Sequence, residues 1–192
     1  MSSKLSSRSP YEQLDPFDTD SGDMNVVIET PKGSRNKFDY DPHLGLFRLG
    51  GVLPAGAVFP FDFGFVPSTV GGDGDPLDVL VLMDEAAFAG CLVPARLIGV
   101  IEADQTEDGK TTRNDRLIAV AANSRDHADV TSLKQVSDNL VHEIEHFFVS
   151  YNMAKGKEFK PRGRFGPDRA VRVVEEGIGC HQDKAKARKK QK

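Results

Sequence analysis

Short apolar runs come first along the chain, and sustained helical periodicity comes last. Val26-Val27-Ile28 stands before the turn residues Pro31-Lys32-Gly33-Ser34. Lys37 to Asp41 alternates charged and aromatic positions, the mark of a half-buried strand. Leu46-Phe47-Arg48-Leu49 continues this meander past an Asp41-Pro42 turn. Between Val58 and Val70, Phe59, Phe61, Phe63 and Phe65 recur at every second position, on one face of an extended segment, which predicts core filling. Three further β-rich runs follow at Leu77–Met83, Leu92–Ala103 and Leu117–Ala121. The first long helical period is Leu140, Ile144, Phe147, Phe148 and Tyr151. A second helix is predicted to start at Pro167 and stop at Gly177. Strands first and helices last predict an antiparallel barrel or sheet with helices packed on it.

Composition narrows the class. At 192 residues, 39% apolar and 28% charged, the chain reads as one soluble globular domain. Its longest aliphatic run, Val79 to Met83, falls far short of the ~18 residues of a membrane span. The polar first twenty residues lack the apolar segment of a secretory signal, and two cysteines, Cys91 and Cys180, suit a reducing cytoplasm. Residues 1–23 are expected to form a mobile arm, with Pro10 and Pro16 and no periodicity. The last ten residues hold six cations and one acid, so 181–192 read as a basic tail on a body more acidic than the net charge of -4. An acidic body argues against a nucleic-acid binder.

Candidate chemistry concentrates in Gly71-Gly72-Asp73-Gly74-Asp75-Pro76-Leu77-Asp78-Val79-Leu80. Three carboxylates within six residues repel one another unless a cation neutralises them. Oxygen-only donors suit a hard divalent ion such as Mg²⁺. A solvated acidic turn is the alternative that spacing alone leaves open, and the arrangement is not that of an EF-hand loop.

Asp73-Gly74-Asp75-Pro76-Leu77-Asp78-Val79 resembles the signature of the soluble family I inorganic pyrophosphatases. The resemblance extends in order through Val26-Val27-Ile28-Glu29, Lys37-Phe38-Asp39-Tyr40-Asp41, Phe59-Pro60 to Phe63-Gly64-Phe65, Gly99-Val100-Ile101, Leu117-Ile118-Ala119-Val120, His146-Phe147-Phe148, Tyr151 and Lys155-Gly156-Lys157. It covers residues 24–180 as one catalytic domain. It implies a mainly β fold with helices (α+β): a five-stranded OB-like barrel with C-terminal helices packed outside. It further implies Mg²⁺-dependent hydrolysis of pyrophosphate to two phosphates, usually by a homo-oligomer. By position, Asp75 resembles the general base, Asp73 and Asp78 metal ligands, and Glu29 a further metal-side carboxylate. Lys37 and Tyr151 resemble phosphate ligands. Arg116 stands where the family has a phosphate-binding lysine.

The departures gather on the substrate side. The family's arginine falls on Gly50-Gly51-Val52, two of its tyrosines on Phe59 and Phe63, and a lysine on Asn152. A metal-side carboxylate aligns with Asn114, so Asp115 is the candidate replacement, with Asp104, Glu107 and Asp108 competing for the upstream position. The cations Lys155, Lys157, Lys160, Arg162 and Arg164 are expected on a Gly/Pro loop that supplies the missing phosphate contacts. Two rival functions follow from these losses: hydrolysis of another phosphoanhydride or phosphate ester, and a non-catalytic barrel that binds metal and phosphate. His142-Glu143-Ile144-Glu145-His146 matches a zinc-hydrolase pattern, but both histidines fall off the apolar stripe, away from any cleft.

Overall fold

A computed structural model describes residues 10–190. Its strands are β1 (Met24–Thr30), β2 (Asn36–Asp41), β3 (Leu46–Val52), β4 (Asp62–Val66), β5 (Leu77–Leu82), β6 (Leu92–Glu107), β7 (Lys110–Arg113), β8 (Arg116–Ala121) and β9 (Glu158–Phe165). Two helices, α1 (Asp138–Met153) and α2 (Pro167–Lys190), flank β9. Five strands pair in a ring, β1-β4-β5-β8-β6 and back to β1, as the OB-like expectation requires. The β5–β8 pair is parallel and its ring neighbours are antiparallel.

Strand β6 makes the ring possible. Its 16 residues pair with β1, β8, β7 and β9 in turn, and register shifts at Leu97/Gly99 and Glu102/Ala103 bend it between partners. The unbroken apolar runs of β5 and β8 are buried on both faces. Val79, Val81, Leu117 and Ala119 enter a core shared with β1 and α2. Leu80, Leu82, Ile118 and Val120 enter a second core with Phe59, Phe63 and the α1 residues Val141, Ile144 and Phe148.

Several sequence expectations change. Residues 1–9 and 191–192 lie outside the described residues, but Tyr11, Leu14, Pro16 and Phe17, expected in a mobile arm, contact the body. Tyr11 meets Tyr40 and Phe47 edge-on at 4.9 and 5.6 Å, Pro16 O accepts from Asn25 N, and Leu14 O from Ser68 Oγ. Helix α2 does not stop at Gly177 but runs on through most of the basic tail. Gly177 instead permits close packing: a Cβ there would sit 2.7 Å from Leu77 Cδ1. The predicted Gly/Pro loop is strand β9, held on β6. The buried stripe of α1 is Val141, Ile144, Phe148 and Asn152, which leaves Leu140, Phe147 and Tyr151 half-buried at its edge.

Candidate active site

The acidic loop between β4 and β5 is shaped by its own backbone. Gly71 N donates to Asp75 O, Gly74 N to Gly71 O, and Asp75 N to Asp73 Oδ1. Gly74 adopts φ +98°, a left-handed conformation that glycine takes without strain. Thr69 anchors both ends, donating from Oγ1 to Val66 O and accepting from Leu77 N. The result leaves Asp73 and Asp75 exposed on the loop and sets Asp78 at the start of β5. Lys184, far along α2, donates to Gly74 O at 3.1 Å, a contact that no local pattern in the basic tail announces.

A cavity of about 190 Å³ opens between this loop and α2, and its wall includes Asp73, Asp78, Arg113, Asp115, Glu176 and Cys180. The parallel register Val79↔Leu117 sets Asp78 beside Arg116, whose Nη1 lies 2.6 Å from Asp78 Oδ2. Burial pushes the Asp78 carboxyl up from its usual range, Arg116 and Lys37 oppose that, and Glu29 and Asp75 add to it. Asp73 is raised by burial and by the charges of Asp78 and Asp75. Asp115 is raised by burial, although its oxygens accept from Ala103 N and Arg113 Nε. Loss of water leads each of these shifts, so they mark carboxylates held partly out of solvent near one another. An oxygen-only donor set of this kind fits a hard divalent cation. Among the described residues, no three acidic, imidazole or thiol groups converge on one point, since Asp78 and Asp115 each face a guanidinium.

A second cavity, of about 490 Å³, is bordered by Arg35, Lys37, Gly50, Gly51, Tyr151 and Lys155. Lys37 is buried, and its Nζ donates to Glu29 Oε2 (2.9 Å), Asp39 Oδ1 (2.6 Å) and Phe38 O (2.6 Å). Burial pulls the Lys37 ammonium down, yet Glu29 and Asp39 outweigh it and leave its pKa above the usual lysine value. Glu29 is raised by burial against the pull of Lys37, and its Oε1 accepts from Tyr40 N. Tyr151 stacks on Phe147, with centroids 5.8 Å apart, and carries Lys155 Nζ 4.5 Å from its ring centroid.

The structure therefore brings Glu29, Lys37, Asp73, Asp75, Asp78 and Arg116 into one electrostatic neighbourhood, with Tyr151 on the second cavity. Several candidates are committed to internal partners. Arg116 is 3% exposed and borders neither cavity; it binds Asp78, Asn114 and Asp115 O between the rings of Phe148 and Phe159. Asn152 is buried and donates to Phe148 O. Three of the five cations expected as phosphate ligands after Tyr151 are spent: Arg162 pairs with Asp104, Arg164 with Glu145 and Lys157 with Glu107. The same pairs turn Asp104 and Glu107 outward along β6, away from the acidic cavity. His142 and His146 are exposed on α1.

A sequence profile described as inorganic pyrophosphatase matches residues 26–182. The inorganic pyrophosphatase of Synechocystis sp. is 35% identical over 163 residues, covering 85% of this chain and 94% of the relative. The crystal structure of inorganic pyrophosphatase from Thermus thermophilus superposes with a TM-score of 0.81 at 32% identity, over 90% of this chain and 98% of that one. The Helicobacter pylori inorganic pyrophosphatase superposes with a TM-score of 0.80 at 33% identity, over 89% and 99% of the two chains.

Proposed function

The chain belongs to the inorganic pyrophosphatase family, whose members split pyrophosphate into two phosphates, and on that premise we propose how its own residues do so. The family implies a divalent metal cofactor, and Mg²⁺ is our assignment because the donors are all oxygen. Asp73 and Asp78 would hold it, with Asp115 and Glu29 as further metal-side carboxylates. When bound, the metal neutralises the anionic substrate and makes the attacking water more acidic.

Asp75, exposed at the loop tip, takes the proton from that water on a carboxylate oxygen. The Tyr151 phenol, on the cationic cavity, donates to a phosphate oxygen. Lys37 contributes its charge to the same wall while its three donors hold Glu29, Asp39 and the Phe38 carbonyl. Arg116 acts through Asp78, as the counter-ion that orients its carboxylate, in place of the direct phosphate contact that alignment suggests. A cytoplasmic homo-oligomer belongs to the same reading, supported by the free thiols of Cys91 and Cys180 and by the exposed Leu46, Leu49 and Val52 on β3.

One observation carries this reading. Asp78, on the wall of an acid-rich cavity, and Lys37, on the wall of a cation-bearing one, act electrostatically on each other. The test is phosphate release from pyrophosphate with Mg²⁺ and again with EDTA, beside an Asp75→Asn variant. Metal-dependent release that falls by roughly 10²-fold or more in the variant is expected, the usual scale for loss of a general base. No release from folded protein supplied with Mg²⁺ overturns the reading.

A further inference from the structure

We infer that Arg35 and Lys155 are the phosphate-binding cations of this chain, gripping the substrate from the wall of the larger cavity. The inference rests on the pyrophosphatase reading and adds to it two residues outside the motif.

The wall of that cavity carries three cations, Arg35, Lys37 and Lys155, and no carboxylate. Lys37 is committed, since its ammonium has three acceptors and each of its protons is used. Arg35 is different. Its Nε donates to Leu53 O at 2.7 Å, which fixes the plane of the guanidinium, and among the described residues it has no acidic partner. The terminal amino groups remain for an anion, in the fork geometry that matches a phosphoryl group. Lys155, just past the end of α1, rests over the Tyr151 ring and also has no acidic partner among the described residues. Cations on and just before β9 show the contrast: Lys157, Arg162 and Arg164 each have a carboxylate oxygen within 2.8 Å. Two uncompensated cations bordering one acid-free cavity repel each other, and an anion placed between them relieves that repulsion. Gly51, also on the wall, has open space where a Cβ would stand, whereas the place beside Gly50 is filled by the Asp39 carboxylate, which Lys37 neutralises.

The experiment compares the full-length wild type with Lys155→Met, Arg35→Gln and, as a charge control, Lys110→Met, an exposed β7 cation outside both cavities. Calorimetric titration with imidodiphosphate, in which nitrogen replaces the bridging oxygen, measures binding without turnover. Steady-state kinetics with pyrophosphate and Mg²⁺ separates KM from kcat. Thermal melts establish that each variant is folded, and Lys155→Met alone decides the matter if Arg35→Gln is not. The expected result is a Kd for imidodiphosphate and a KM weakened roughly five- to tenfold at each cavity position, a charged hydrogen bond discounted for exposure. Lys110→Met should change neither by more than about twofold on the same scale. Unchanged Kd in folded Lys155→Met, or a wild type that does not bind imidodiphosphate, overturns the inference. A wild type that binds imidodiphosphate but releases no phosphate from pyrophosphate would refute the hydrolytic reading alone, and the Kd comparison would still decide the roles of Arg35 and Lys155.

Discussion

Two glycines of α2, two residues apart, should respond in opposite directions to the same substitution. Alanine in a helix interior is favoured over glycine by about 1 kcal/mol. Gly179 is exposed and a Cβ there would meet nothing within 4 Å, so Gly179→Ala should stabilise by about 0.5–1 kcal/mol. At Gly177 the new Cβ would lie 2.7 Å from Leu77 Cδ1, 3.2 Å from Leu77 Cγ and 3.3 Å from Thr69 Cβ. Leu77 and Thr69 are 7% and 2% exposed, and Thr69 is tied by hydrogen bonds to Val66 O and Leu77 N, so neither has room to retreat. The helix must move instead, straining the bond from Val70 N to Gly177 O. Overpacking of this kind costs roughly 1–3 kcal/mol, which exceeds the propensity gain and leaves Gly177→Ala destabilised by about 1 kcal/mol. Urea unfolding with EDTA, at one protein concentration, reads both variants as midpoint shifts at constant slope. Because Leu77 precedes Asp78, Gly177→Ala should also slow phosphate release, whereas Gly179→Ala should not. Equal stabilisation by the two substitutions would refute the close-packing argument.

Arg116→Leu keeps much of the buried volume but strands Asp78. With about a quarter of the Asp78 side chain in water, unfolding by urea should show a loss of about 3 kcal/mol, the low end for breaking a buried pair, and a loss under 1 kcal/mol would contradict the counter-ion role. Asp84 sets a pH dependence: hydrogen bonds from Ser124 Oγ, Arg125 N and Asp126 N hold its carboxyl below the usual aspartate range. A folded pKa below the unfolded one gives stability that is complete above pH ~4 and is lost as pH falls through the folded value. The urea midpoint of Asp84→Ala should therefore trail that of the wild type at pH 6, with the gap narrowing toward pH 2, and a gap independent of pH would argue against it.

What could be read in the chain was what neighbours in sequence decide. Residues 79–82 of β5 and 117–121 of β8 are apolar at every position because both faces of these strands are buried, so they stand out without knowledge of their partners. The acidic loop is legible for the same reason, since its turn bonds link residues 71 to 75. β7 and β9 were not legible. Lys110–Arg113 is polar throughout, and Glu158–Phe165 contains Pro161 and Gly163, both poor strand signals. Their place depends on β6, against which β9 sets Arg162 beside Asp104, 58 positions away in the chain. Gly177 misled in another way. Glycine reads locally as a helix stop, whereas here it is the point where α2 needs no side chain against Leu77.

The same distinction explains why motif residues and available charges are different sets. Lys37 and Arg116 occupy motif positions, but burial makes an unpaired cation costly, and each is held by carboxylates. Two of the acids they hold, Glu29 and Asp78, act electrostatically on each other, so these bases act on the chemistry by arranging carboxylates. Cations free to meet a substrate are those left over after internal pairing, and pairing is a property of the folded surface. On and just before β9 the pairing consumes Lys157, Arg162 and Arg164, although they stand in the cation-rich stretch that follows Tyr151. It spares Arg35, in the turn before β2, and Lys155, at the end of α1, which meet only because the ring of strands brings both elements to one cavity. A family whose reaction requires neutralising a highly charged anion can therefore lose a motif cation and keep its chemistry, provided the fold leaves another cation unpaired at the same wall.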